Sequence, residues 1–218
     1  LGIEKTAAEK YPLPNKFSFS QLMAFSTCPL QYKFAFVLKI PASTDKASLI
    51  FGRVLHNTLY NFLLPVLSER QKMEGTLFGE LEKDSSQKKI KDYLNKERLF
   101  QIYDEFWQND GYPSKENREE YRKRGLDVLE KFWGNYENNP PQEILYLEKK
   151  FSFKIGGDII KGAIDRIDKL PDGSLEIVDY KTGQTKNKLE FSEKRQLILY
   201  QLFIEEFLNI KVSTLSYY

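Results

Sequence analysis

Cysteine and histidine are almost absent from this chain: among 218 residues there is one of each, Cys28 and His56. A lone cysteine excludes an internal disulfide framework and cannot by itself build a four-thiolate zinc or iron–sulfur site, so any metal must be held by oxygen and nitrogen. Long hydrophobic runs are missing too, since stretches such as Leu197–Tyr200 fall far short of the ~18 residues a membrane span needs. With no secretory leader at the start, these absences predict a soluble, intracellular, cytoplasmic chain with no membrane partner. Charge of one sign is also lacking. The 33 basic and 31 acidic residues leave a net charge of +2, so contact with nucleic acid would depend on a local basic patch. No internal repeat or low-complexity segment is visible. The opening Leu1-Gly2-Ile3, without methionine, and the strand-like ending Thr214-Leu215-Ser216-Tyr217-Tyr218 predict a piece of something longer.

What is present suffices for one substantial core, because 41% of the residues are hydrophobic. Residues 1–16, with Pro12 and Pro14 among charges, read as a linker. Ser18 followed by Gln21 has the spacing of a capping box, which predicts a helix that buries Leu22, Met23 and Phe25. Pro29 breaks it, and Leu30 to Leu38 supplies another helical turn or two. Helical periodicity then runs from Leu49 to about Leu64, with Leu55, Leu59, Phe62 and Leu63 as the apolar stripe and His56 on the same helix. It returns over about Gln87 to Trp107, carrying Ile90, Leu94 and Phe106. A third helix is predicted over Asn117 to Tyr136, carrying Val128, Leu129, Phe132 and Trp133.

At Pro140-Pro141 the period changes from helix to strand. Leu145, Leu147, Phe151, Phe153 and Ile155 alternate with polar residues up to Gly156-Gly157. Ile159 to Leu170 predicts a second strand, Pro171-Asp172-Gly173 a turn, and Leu175 to Lys181 a third, forming an antiparallel meander. Ser192 is positioned to cap an amphipathic helix with Leu197, Tyr200, Phe203, Ile204, Phe207 and Leu208 on its apolar side, and Lys211 to Tyr218 reads as a strand. A crossover helix there lets the last strand pair in parallel. The fold class is therefore α/β, with a central mixed sheet, a large helical N-terminal portion and a helical insertion over about 65–140.

In Glu176-Ile177-Val178-Asp179-Tyr180-Lys181-Thr182-Gly183, residues two apart share a face, so Asp179 and Lys181 project together. Such a pair is either an exposed ion pair on a charged chain or a catalytic unit. In the second case Asp179 binds a hard cation, and Lys181 neutralises phosphate charge or orients a water. The preceding strand carries Lys161-Gly162-Ala163-Ile164-Asp165-Arg166-Ile167-Asp168, and the turn at Gly173 predicts that Asp165 faces Asp179. Two carboxylates within ~5 Å repel unless one is protonated or a cation lies between them. Asp168, near the turn, reads as a solvated hairpin-end residue. His56 is either a ligand beside the carboxylates or a partly buried structural residue. Glu148 either reaches a water or second cation at the site, or sits on the surface. Gln196 and Tyr200, at i and i+4, share a helix face on which they contact a phosphate, brace the lysine or form a polar edge. Lys194 and Arg195 add positive charge nearby.

Taken in order, these segments resemble the RecB-like branch of the PD-(D/E)XK nucleases. The resemblance is carried by Ser18-Phe19-Ser20-Gln21-Leu22 with Cys28-Pro29, Gly52 to His56, Glu148 with Phe151, Gly162 to Asp168, Ile177 to Gly183, and Gln196 to Tyr200. It runs from about Phe17 to the end, so residues 17–218 are expected to form a single nuclease domain. The resemblance implies that His56, Asp165, Asp179 and the backbone carbonyl of Tyr180 bind Mg²⁺ or Mn²⁺. It further implies that Lys181 is catalytic, that Glu148 is the family's early acidic residue, and that Gln196 and Tyr200 support the site and contact DNA. The implied activity is a metal-dependent deoxyribonuclease, an exonuclease on single-stranded DNA or DNA ends. It would act in repair and recombination with an SF1 helicase in cis or trans. Some relatives hold an iron–sulfur cluster with four cysteines. Only Cys28 stands in a comparable place, so no cluster is expected and Cys28 reads as a packed thiol. For want of those cysteines a CRISPR-adaptation nuclease is the weaker reading. The alternative within the same fold is a catalytically silent domain that binds DNA or docks onto another protein of the assembly.

Overall fold

The computed structural model describes residues 14–40, 46–74, 93–141, 143–183 and 191–218. The chain enters on a short strand β1 (Lys16–Ser18), followed by helices α1 (Phe19–Thr27) and α2 (Pro29–Tyr32), the latter continued by a π-helical turn over Lys33–Val37. The capping box expected at Ser18 forms: its hydroxyl accepts the Gln21 amide at 3.3 Å while the Gln21 side chain accepts the Ser18 amide at 2.7 Å. Burial of α1 does not follow. Leu22 is 38% and Phe25 57% exposed, because the apolar side chains of α1 and α2 meet each other, as in the edge-on contact of Phe25 with Tyr32, instead of a core. The expected linker ends earlier than 16, since Lys16–Ser18 pairs in parallel with Ile159–Lys161; residues 1–13 lie outside the description.

Helix α3 (Lys46–Glu74) is longer than its apolar stripe suggests and runs through Pro65. The insertion contributes α4 (Lys96–Phe106) and α5 (Lys115–Asn138), started by Asn95 and Ser114, whose side chains accept amides two to three residues into each helix. The part of the predicted insertion helix that includes Ile90 lies outside the described residues. Gly125 of α5 is required by packing, because a Cβ there would sit 2.0 Å from the Tyr103 hydroxyl of α4. The strands are β2 (Glu143–Ile155), β3 (Asp158–Lys169) and β4 (Leu175–Asp179), then α6 (Phe191–Leu208) and β5 (Val212–Tyr217). Since α6 already begins at Phe191, Ser192 lies inside its first turn and is not the residue ahead of it.

The meander is antiparallel as expected, and β5 joins β4 in parallel through the α6 crossover. A strand has two edges. Strand β2 occupies one edge of β3 along its length, so β1 and β4 share the other, at Ile159–Lys161 and Arg166–Lys169. Each face of the sheet carries its own core. One joins α3, α4 and α5 to Ile144, Val178 and Tyr180. The other packs Leu197, Tyr200, Phe203 and Ile204 of α6 on Phe151, Phe153, Ile160, Ile164, Ile167 and Ile177. In the second core Gly162 stands opposite Phe151, where a Cβ would lie 2.7 Å from the ring, so only glycine lets the aromatic lie flat on the neighbouring strand.

Along β2 and β3 the pleat changes sides. Leu147, opposite Arg166, packs toward the helical core, whereas Phe151 and Phe153 pack toward α6 although their numbers have the same parity. On β3, Ile164 faces α6 while Arg166 hydrogen-bonds the Tyr180 hydroxyl on the other side. The switch falls at Glu148, whose φ of 48° is in the left-handed region, and at Asp165 opposite it.

Candidate metal centre

The pleat switch brings two acidic residues to one spot. Glu148 lies between the pairs Leu147–Arg166 and Lys149–Ile164, hence opposite Asp165 on β3. Asp165 in turn lies one step beyond Arg166–Val178, the last paired residues of β3 and β4, and its Oδ2 accepts the Tyr180 amide at 2.7 Å. His56 approaches from α3 over the sheet's end. Its Nε2 is 3.1 Å from the Tyr180 carbonyl oxygen, and its Nδ1 lies 3.5 Å from Asp165 and 3.9 Å from Glu148.

The ligand atoms of His56, Glu148 and Asp165 all fall within 4.8 Å of one another, and no other such trio of His, Cys, Asp or Glu converges among the described residues. That spread suits a hard cation with oxygen and nitrogen ligands at ~2.0–2.6 Å, since ligands on opposite sides of an ion then stand about 4 to 5 Å apart. Charge points the same way. Burial lowers the basicity of His56, but hydrogen bonds and charge from Asp165 and Glu148 outweigh it and raise the imidazole to about 10. Without a cation, the ring itself carries the charge that balances the carboxylates.

Asp179 faces the α6 side of the same strand end, outside this trio. Its carboxyl is pushed up to about 6, by burial first and then by the charge of Asp165, against the opposing pull of Lys181 and His56. Lys181 Nζ sits 2.5 Å from Asp179 Oδ2 and donates to Gln196 Oε1 at 2.9 Å. The Gln196 amide nitrogen donates to Asp179 Oδ1 at 3.0 Å and to the Tyr200 hydroxyl at 2.6 Å. One amide thus serves an ammonium with its oxygen and a carboxylate with its nitrogen, which neither Glu nor Lys at this position could do. The Lys181 ammonium also lies 5.1 Å from the centre of the Tyr217 ring.

The expected residues therefore come together in two adjoining groups: His56, Glu148, Asp165 and the Tyr180 carbonyl on one side, and Asp179, Lys181, Gln196 and Tyr200 on the other. Glu148, expected as an accessory acid, joins Asp165 on the histidine side of the site, 3.9 Å from His56 Nδ1 against 3.5 Å for Asp165. Asp168 corrects the sequence reading. It is 2% exposed and not solvated, because the pleat turns it inward with Arg166, whose Nε is 3.0 Å from Asp168 Oδ2. Burial raises the Asp168 carboxyl to about 6 even though Arg166 opposes the shift. Cys28 is half-buried at the α1–α2 junction, far from being enclosed in a core. Sequence reasoning missed Arg124 and Tyr217, which reach the segment around Lys181 from elements with no motif of their own.

A mixed sheet thus carries two acidic strand ends, a lysine two residues beyond one of them and a glutamine and a tyrosine on the crossover helix, with oxygen and nitrogen donors that suit a hard cation. The family model of the PD-(D/E)XK nuclease superfamily matches residues 16–218, and the chain belongs to that superfamily. Among curated relatives it is similar to an ATP-dependent helicase/deoxyribonuclease subunit of Streptococcus uberis, 37% identical over 92 residues, which is 42% of this chain and 8% of that protein. The corresponding helicase/deoxyribonuclease subunit from Streptococcus pyogenes serotype M49 is 28% identical over 144 residues, covering 60% of this chain and 13% of the relative. The chain thus spans a small part of the length of these relatives. Protein VC1899 from Vibrio cholerae aligns over 81% of this chain and 48% of its own, with 13% identity and a TM-score of 0.27. No helix among the described residues is long and apolar enough to cross a membrane.

Proposed function

We propose that this domain is a metal-dependent deoxyribonuclease that hydrolyses phosphodiester bonds, acting as an exonuclease on single-stranded DNA or DNA ends. The observation that carries this reading is the convergence of His56, Glu148 and Asp165 beside a lysine held by Asp179 and Gln196. His56, Asp165 and Glu148, with Asp179 and the Tyr180 carbonyl adjoining, would hold Mg²⁺ or Mn²⁺. Such a cation, when bound, supplies Lewis-acid polarisation of the phosphoryl group and acidifies the attacking water.

The protein's own contribution is positioning. Lys181 keeps its ammonium at a fixed point by bonding Asp179 and Gln196, where it neutralises phosphate charge or orients the water. Gln196 ties that lysine to the Tyr200 hydroxyl in the α6 core, so the network stands on a packed helix. The Asp165 carboxylate is oriented by the Tyr180 amide, which donates to its Oδ2. The similarity to helicase/deoxyribonuclease subunits supports a helicase partner, in cis or trans, that feeds strands to the site in DNA repair and recombination.

The test is degradation of end-labelled single-stranded and duplex DNA with Mg²⁺, Mn²⁺ or EDTA, comparing the protein with Asp179→Ala and Lys181→Ala. The expected result is cleavage that needs a cation and falls at least about a hundredfold in either variant, the scale of losing a fixed electrostatic partner of the transition state. Binding without cleavage under every cation would instead identify a catalytically silent DNA-binding or docking domain.

A further inference from the structure

We propose that Arg124, on α5 of the helical insertion, is a positioning residue of the site: it holds the segment carrying Lys181 through the Thr182 carbonyl, and so makes the insertion part of the cleavage machinery. The proposal rests on the nuclease reading for its kinetic consequence.

Strand β4 ends at Asp179, so Tyr180 to Gly183 have left the sheet just where Lys181 must be precise. On one side the Lys181 amide is tied to the Tyr218 carbonyl at 2.9 Å. On the other, the Arg124 guanidinium donates to the carbonyl of Thr182, the residue following Lys181. The same guanidinium lies 5.4 Å from the centre of the Phe51 ring. Phe51 precedes Gly52, and an added Cβ at Gly52 would be 3.6 Å from the Thr182 hydroxyl oxygen, so the segment passes along α3 about one turn before His56. Arg124 therefore sits where the helix carrying His56, the segment carrying Lys181 and the insertion meet.

Two features argue against an incidental surface contact. Among the described residues Arg124 has no carboxylate partner, whereas Arg98, Arg118, Arg122 and Arg166 each have one, and Arg53, for which none is found either, bonds the exposed Gln108 side chain instead of a backbone carbonyl. A half-buried guanidinium that faces only an aromatic ring and a backbone carbonyl uses its planar fork to stack and donate together, which an ordinary solvated arginine does not need to do. Its helix is also fixed in place. Gly125, the next residue, admits the Tyr103 hydroxyl, which donates to the Arg122 carbonyl at 3.3 Å and locks α5 against α4.

The experiment compares the full chain with Arg124→Ala, Arg124→Lys and, as a control, Arg122→Ala, whose guanidinium bonds Asp104 on the exposed side of the same helix pair. Steady-state cleavage of single-stranded DNA is measured well below the melting temperature of every variant. Hydrogen–deuterium exchange is followed over residues 180–183 in metal-free protein. Arg124→Ala should lower kcat about 10- to 100-fold with KM nearly unchanged, as small misplacements of catalytic groups do. Exchange over 180–183 should quicken about tenfold, as expected for loss of a charge-assisted hydrogen bond. Arg124→Lys, which keeps the charge and a donor but not the planar fork, should recover only part of both, and Arg122→Ala should alter neither. A rise in KM at constant kcat, or unchanged exchange over 180–183, would overturn the proposal. If the parent protein cuts no DNA with any cation, the nuclease reading fails and the exchange data alone decide whether Arg124 holds the segment.

Discussion

At the residue scale, the acid–base balance of the site predicts its response to pH. His56 is raised from 6.5 to about 10 in the folded protein, so it contributes stability that is fully present below pH 6.5 and is lost as pH rises through 10. Metal-free protein should therefore melt at progressively lower temperature from pH 6.5 to 10, and His56→Gln should flatten that decline; an equally steep decline in the variant would remove His56 as its cause. Asp179 is raised from 3.8 to about 6, so below that pH a proton occupies the carboxyl that a cation or Lys181 would otherwise use. Affinity for Mg²⁺ or Mn²⁺ should fall as pH drops through 6. Calorimetry in buffers of different ionisation enthalpy should detect protons released on binding near neutral pH, chiefly from His56.

At the scale of elements, glycine packing makes a sharp prediction. Gly162→Ala drives a methyl group against the Phe151 ring and should cost about 1 to 3 kcal/mol of stability, read as a shift in the denaturant midpoint. Phe151→Leu in the same chain should recover part of it, and strictly additive losses would show that the two residues are not in conflict. The elements themselves were largely readable beforehand. Hydrophobic period and turn residues identified the meander, the α6 crossover and the parallel last strand, because each depends on local spacing. Strand β1 was not readable, as three residues following a proline-rich stretch carry no periodic signal. Asp168 misled for a different reason: nearness to a turn suggests solvent, but its burial depends on Arg166, the pairing partner on the same face, which no local spacing announces. The juxtaposition of Asp179 and Lys181 was legible because they sit two apart in one short stretch, whereas Arg124 reaches that stretch from 58 residues before Thr182 and leaves no local trace.

For the whole molecule, the buried Arg166–Asp168 pair joins the meander to the helical core through Tyr180 and Tyr218. Removing one partner strands the other charge, so Arg166→Met should destabilise the fold by about 3 to 5 kcal/mol, and adding Asp168→Leu should restore much of the loss. Equilibrium unfolding of the single and double variants checks this; a double variant as unstable as the single would mean that packing, not charge, sets the cost.

Glu148 brings the scales into conflict. Its left-handed backbone is one that side chains other than glycine adopt at a cost of about 1 to 3 kcal/mol, yet its carboxylate stands beside His56 and Asp165. Glu148→Gly should raise the melting temperature while lowering cleavage. A population of variants screened only for heat resistance would accordingly drift to glycine at 148, and one screened for turnover would keep the less comfortable residue.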